Sequence, residues 1–181
     1  MVSHLSGFPK QAPGFEAPLE MLAACHGRIR DHCATLLRVR VHVTAHGADA
    51  AASGAAHSVV HYFDRGARDH HADEEQDLFP ALIESMAGSD PVCIRELAES
   101  LTAEHRELDR LWGIVRTWLG AVAMGHASAP APAEIDPFVE LYERHAKREE
   151  AELFPMAERL LGTGALAAIG RSMRQRRGVA G

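Results

Sequence analysis

The sequence has little of what would tie it to a disulfide framework, a membrane or a nucleic acid. Its 181 residues hold only three cysteines, Cys25, Cys33 and Cys93, an odd number with no Cys-x-x-Cys spacing, so neither a disulfide scaffold nor an all-thiolate zinc site is expected. No apolar run reaches the roughly 18 residues of a membrane span. The opening MVSHLSGFPKQAPGF lacks a basic start followed by an apolar stretch. No membrane association, no export and a reducing cytoplasm are the expectations. A net charge of −6 leaves no basic footprint for nucleic acid, and the four arginines of the closing RSMRQRRGVAG read as a solvated tail. Strand-like alternation is scarce, and no phosphate loop or nucleophile motif offers a second chemistry.

What is abundant is histidine, with twelve in the chain. Histidine is the commonest metal ligand and the usual proton carrier near neutral pH, so the enrichment directs attention to spacing. Hydrophobic residues at 46% and charged residues at 24% are ordinary for a folded domain, and the length suits one core.

Helix punctuation marks four long segments. The first runs from Pro18 to about His46, with Gly47 placed to stop it. The second runs from about Ala51 to Ala87 before Gly88, the third from Asp90-Pro91 to about Gly125, and the fourth from Asp136-Pro137 to about Leu161. The stretch ASAPAPAE, 127 to 134, reads as a linker, and a short amphipathic helix is expected near 165 to 174. The organisation predicted is all-α: an antiparallel up-down four-helix bundle over 18–162, an extended lead over 1–17, and a short C-terminal helix with a basic tail over 163–181.

A repeat lies inside this plan. HHADEEQDLFP, 70 to 80, aligns without gaps on HAKREEAELFP, 145 to 155, sharing the first His, both Glu and Leu-Phe-Pro. Two His-x-x-x-Glu pairs can be drawn through the first copy, but the second has Ala146 where the first has His71. The shared pairs are therefore His70 with Glu74 and His145 with Glu149, each on one helix face.

Periodicity agrees. Val59, Phe63, Ala67, His70, Glu74 and Leu78 form an apolar stripe broken only by the pair, as do Phe138, Leu141, His145, Glu149, Leu153, Met156 and Leu160. His57, Asp64, Arg68, His71 and Glu75 read as a wet face. An ionised carboxylate in an apolar stripe costs several kcal/mol unless it is paired or bound to a metal. The other two helices each place one histidine in such a stripe: His26 between Leu22 and Ile29, and His105 between Leu101 and Leu108.

The candidate metal ligands are thus His26, His70, Glu74, His105, His145 and Glu149. Six side chains exceed the four ligands of a structural zinc, and the mixture of imidazole and carboxylate suits iron or manganese. Two ions would share them naturally, with Glu74 and Glu149 bridging, His26 and His70 capping one ion, and His105 and His145 the other.

His26, the two HHE-type motifs and the AEHRELDRL stretch around His105 together resemble the hemerythrin-like, or HHE cation-binding, family over about residues 14 to 176. The resemblance implies a four-helix bundle around two non-haem irons joined by an oxo or hydroxo bridge. It also implies a small-molecule ligand such as O2, NO or peroxide. Oxygen-carrying members have a second histidine one turn after the one on the third helix, where this chain has Asp109. Their last carboxylate falls five residues after the histidine, where this chain has Glu150 beside Glu149. The pattern is nearer to the iron-sensing and iron-sulfur-repair branches, although the lead before the first helix carries no cysteine. Two other readings stay open here: a di-iron enzyme that decomposes peroxide or supplies iron for cluster repair, and a metal-free interaction bundle. The sequence names no protein partner.

Around the ligands, Glu75 and Glu150 are expected just outside the metal or paired with Arg68 and Arg148. His57, His61 and His71 are expected on a solvated face, and Trp112 and Trp118 in the core or an interface. Pro80 and Pro155, which cannot donate to the carbonyls of Gln76 and Ala151, are expected to kink their helices.

Overall fold

The computed structural model describes residues 13–86, 92–126 and 130–179, and every regular element among them is helical. Gly88, the Asp90-Pro91 start, residues 1–12 of the lead and 127–129 of the linker lie outside the described residues. The first long segment is α1, Pro18–His46. Proline at its first position loses nothing because that N–H has no intrahelical partner, and Gly47 ends it at φ 78°, where a side chain would be strained. The second begins as α2, Ala50–Tyr62, whose N-cap Asp49 accepts from the Ala52 N–H at 2.9 Å.

From Tyr62 the second segment runs without a break through a π turn (π1, Phe63–Ala67), α3 (Arg68–Asp73), a second π turn (π2, Glu74–Leu78) and α4 (Phe79–Ser85). The third segment is α5, Val92–Ala123, and the fourth is α6 (Ile135–Arg148), π3 (Glu149–Leu153) and α7 (Phe154–Leu160). A last helix, α8, spans Thr163–Arg176. The effect expected of Pro80 and Pro155 takes a specific form. Both sit at the start of the α-helix that follows a π turn, and the Phe79 and Phe154 N–H groups reach back five residues to the Glu74 and Glu149 carbonyls. The wider turn absorbs the missing donor and begins, in both copies of the repeat, at the glutamate of the His-x-x-x-Glu pair.

Helix α1 packs on α2, α2 on α5, α5 on α6, and α6 on α1. Two apolar clusters fill the space between them. One contains Ile29, Val59, Phe63, Leu108 and Phe138; the other contains Leu22, Leu78, Leu101, Leu153 and Met173. Each fully buried side chain of this kind contributes about 1.5–3 kcal/mol. Trp112 and Trp118 belong to the first cluster. Between the clusters lies a layer of buried His and Glu, and each long segment crosses it once.

Helix α8 leans on α1, α3 and π2. Gly170 lets it approach the segment before α1, since a Cβ there would fall 1.9 Å from the Phe15 carbonyl oxygen. The basic tail corrects one expectation. Arg176 and Arg177 are less than one-fifth exposed and both grip Asp73, which is fully buried; Arg177 Nη2 donates to Asp73 Oδ2 at 2.6 Å, and Arg176 also reaches Asp77 at 2.7 Å. A carboxylate without solvent needs such partners, and that need draws two of the arginines out of water.

Candidate metal centre

The buried polar layer brings together all six side chains singled out in the sequence. His26, His70, Glu74 and Glu149 are 0% exposed, His105 is 2% and His145 is 1%. Their ligand atoms form two overlapping groups, His26/His70/Glu74/Glu149 and Glu74/His105/His145/Glu149, each within 4.8 Å. Both glutamates belong to both groups, and each divides its oxygens. Glu74 turns Oε1 toward His70 Nε2 (3.6 Å) and Oε2 toward His105 Nε2 (3.5 Å). Glu149 turns Oε2 toward His26 Nε2 (2.9 Å) and Oε1 toward His145 Nε2 (2.9 Å).

A second ring of groups sets the direction of the imidazoles. His26 Nδ1 meets Glu150 Oε1 at 2.9 Å, His105 Nδ1 meets Glu75 Oε1 at 2.6 Å, and His145 Nδ1 meets Glu104 Oε2 at 2.7 Å. These carboxylates are themselves held, Glu150 by both terminal nitrogens of Arg30 and Glu104 by Arg148, which also donates to Ser100. When Nδ1–H donates outward, a neutral ring keeps its lone pair on Nε2 and aims it inward, the arrangement by which carboxylates orient metal-binding histidines.

The inward-facing atoms are nearly all acceptors. His105 Nε2 and His145 Nε2 stand 3.0 Å apart, so two lone pairs face each other unless a proton or a cation lies between them. Glu74 Oε1 and Oε2, Glu149 Oε1 and His70 Nε2 are buried with no hydrogen-bond partner. Leaving such groups bare is costly, and more so for charged ones. A cluster of converging acceptors with orphaned carboxylate oxygens fits a cation.

Electrostatics gives the same picture. Burial and the neighbouring charge of Glu149 push Glu74 up to about 7. Burial acts on Glu149 too, but the close imidazoles of His105, His145 and His26 hold it well below the usual carboxylate range. Burial alone would lower His105, yet contacts with Glu149, Glu74 and Glu75 raise it to about 11. His26 and His145 are raised against burial chiefly by their hydrogen bonds to Glu149. His70 goes the other way, lowered by burial and by the charge of His26. Without metal, the layer draws in protons to supply the positive charge its carboxylates need.

Several expectations around the ligands change. His71 is not on a wet face: it is 7% exposed and stacks on His105, with ring centroids 4.0 Å apart. His57, Arg68 and Glu75 of that stripe are exposed, whereas His71, four residues after buried Ala67 and next to His70, lies at the edge of the buried face, where its ring packs on His105. Asp109 is exposed and stands outside both groups. Glu75 and Glu150 do lie just behind the ligands, but Arg148 serves Glu104, and Glu150 pairs with Arg30. Glu104 and Arg30 were not foreseen. Glu104 falls four residues before Leu108 and one before His105, a spacing that carries no signal without knowledge that α5 faces α6. Cys25 and Cys33 are buried and free, Cys93 exposed and free.

A family model, the Hemerythrin HHE cation binding domain, matches residues 17–157. The chain belongs to the hemerythrin HHE cation-binding family. It is also similar to an uncharacterised protein of Haemophilus influenzae (strain ATCC 51907 / DSM 11121 / KW20 / Rd), 30% identical over 171 residues that cover 94% of this chain and 96% of the relative. Cation binding is thus the family's property, and the buried His/Glu layer of this hemerythrin-like chain holds side-chain groups that could take a metal ion. No helix among the described residues is long and apolar enough to cross a membrane.

Proposed function

We propose that this hemerythrin-like chain is a non-haem di-iron protein that binds or senses a small diatomic or peroxide ligand, O2, NO or H2O2, in the cytoplasm. Two irons would be held by His26 and His70 on one side and by His105 and His145 on the other. Glu74 and Glu149 would bridge them. The observation that carries this reading is the division of the two glutamates, each giving one oxygen to each group, where three of those four oxygens face imidazole nitrogens without a formed hydrogen bond. One ion would leave part of this acceptor set unserved. The hard oxygen and imidazole donors suit iron or manganese.

The bundle supports the same reading. In chain order α1 leaves the Leu22 cluster for the Ile29 cluster, the second segment returns, α5 leaves again and the fourth segment returns. That alternation is what an antiparallel up-down four-helix bundle with a short extra helix requires. When bound, the iron pair would supply electrons and open coordination positions for a small ligand. The protein's own part is to exclude water with the two apolar clusters, to fix the imidazoles of His26, His105 and His145 through Glu150, Glu75 and Glu104, and to hold two carboxylates where they balance the metal charge.

The test is to load stripped protein anaerobically with Fe(II) and add NO, O2 or H2O2 in turn while recording the visible spectrum and peroxide consumption. A stoichiometric spectral change without turnover is the expected result for a binder or sensor. Sustained peroxide loss would make it an enzyme, and no response to any of the three ligands would overturn the proposal.

A further inference from the structure

Two of the candidate ligands have no side chain behind them to turn them. Carboxylates set His26, His105 and His145 from outside, and the same three imidazoles stand around Glu149. Both ring nitrogens of His70 and both oxygens of Glu74 are buried without a hydrogen bond. This pair is therefore aimed by its backbone, and that backbone is the junction of α3 with π2, a rare kind of turn. The two copies of the repeat brace the turn differently. Before its glutamate the second copy has Arg148, which reaches Glu152 across π3 at 3.8 Å and Glu104 on α5 at 3.0 Å. The first copy has acids at both matching places, Asp73 and Asp77, and like charges four residues apart destabilise a helical turn. Helix α8 supplies the missing cation. Arg176 donates to Asp73 through Nη1, and through Nη2 to Asp77 at 2.7 Å and Gln76 at 3.1 Å. One guanidinium thus spans π2 from the residue before Glu74 to the third residue after it. Arg177 meets the two Asp73 oxygens at 3.1 and 2.6 Å, and Ile169 and Met173 seat α8 in the Leu22 cluster.

Resting on the reading of the buried layer as a metal centre, we propose that Arg176 is a positioning residue for it: from α8 it clamps π2 and so fixes where His70 and Glu74 present their ligand atoms. The fourth segment carries its own clamp in Arg148, whereas the second takes one from the C-terminal helix. Arg177 has the narrower task of neutralising Asp73, so the two adjacent arginines divide the work. Metal binding then depends on a helix that contributes none of the candidate ligands.

The experiment compares wild type with Arg176→Ala, in which Arg177 still grips Asp73 and no bare buried charge is created. Amide hydrogen exchange is followed by NMR in stripped protein, and Co(II) loading by visible absorption and chelator competition. The Phe79 N–H closes π2 on the Glu74 carbonyl, as the Phe154 N–H closes π3 on that of Glu149. In Arg176→Ala the Phe79 amide should exchange about tenfold faster, for the loss of one charge-assisted hydrogen bond, while the Phe154 amide keeps its wild-type rate. Co(II) affinity should fall about tenfold or more, with altered absorption bands. Equal acceleration of both amides, or unchanged Co(II) affinity and bands, would make Arg176 a support of the fold alone and overturn the proposal. Wild type that takes up no Co(II) would instead sink the metal reading and this inference with it. Should Arg176→Ala not fold, Arg176→Lys, which keeps the charge but cannot fork to both acids, is judged by the same two readouts.

Discussion

Glu74→Gln should change stability in opposite directions depending on whether metal is present. In stripped protein, Glu74 is fully buried beside another carboxylate, and its acidity is shifted from an ordinary 4.5 to about 7. The fold therefore binds this proton more tightly than the unfolded chain does. The cost of ionising Glu74 is absent below about pH 4.5, grows as pH rises toward 7, and is complete above it. At about 1.4 kcal/mol per pH unit the full cost is about 3 kcal/mol. Glutamine removes it, and its amide can donate where the carboxylate could not. Stripped Glu74→Gln at pH near 8 should thus melt roughly 6–12 °C above stripped wild type for a domain of this size, with the gap closing below about pH 4.5. With iron the order reverses, because glutamine keeps a single, uncharged oxygen and can serve only one of the two ligand groups, so the variant loses the stabilisation that bound metal confers. Glu149→Gln offers the contrast. Glu149 faces the raised histidines His26, His105 and His145, so its loss should destabilise even stripped protein, by about 3–5 kcal/mol. Thermal melts by circular dichroism, with and without chelator, read both. A stripped Glu74→Gln that melts below wild type at pH 8 would refute the reasoning.

Three further outcomes follow from the same contacts. His26, His105 and His145 hold protons more tightly than free imidazole, so iron loading near pH 7 should release protons and apparent affinity should rise with pH; calorimetry in buffers of different ionisation enthalpy would detect them, and release of none would contradict the assignment. Glu104→Ala frees His145 Nδ1 and should weaken metal binding about 10–100-fold with little change in fold, measured by chelator competition, whereas unchanged affinity would remove Glu104 from the centre. Replacing both Arg176 and Arg177 by Ala leaves Asp73 buried and unpaired and should cost about 3–5 kcal/mol in denaturant unfolding, a loss that adding Asp73→Asn should largely recover.

The sequence could be read as far as contacts within one helix face decide the outcome. His26 and His105 announced themselves as lone polar residues in apolar stripes, and the duplication with Ala146 in place of His71 picked His70 and Glu74 from two interleaved pairs. The same reasoning sent His71 to solvent with Arg68 and Glu75, which are exposed, because a single stripe count does not show that a residue at the edge of the buried face can turn its ring onto His105. The Pro-bearing motifs carried a signal of local irregularity, but not that it would be a π turn beginning at each glutamate. Groups that work by long-range pairing left no trace in spacing. Glu104 meets His145 across 41 residues, and Arg177 meets Asp73 across 104. Such pairs are decided by which helix faces become neighbours, so an acidic residue beside a ligand and an arginine near the end of the chain look like ordinary surface until the bundle closes.

The most direct test of the central claim is iron content per chain after aerobic isolation and Fe(II) reconstitution, with the visible spectrum taken before and after reduction. The account predicts two irons per chain and a visible absorption that bleaches on reduction and returns in air. A chain that saturates at a single zinc, or that takes up no iron, would contradict it.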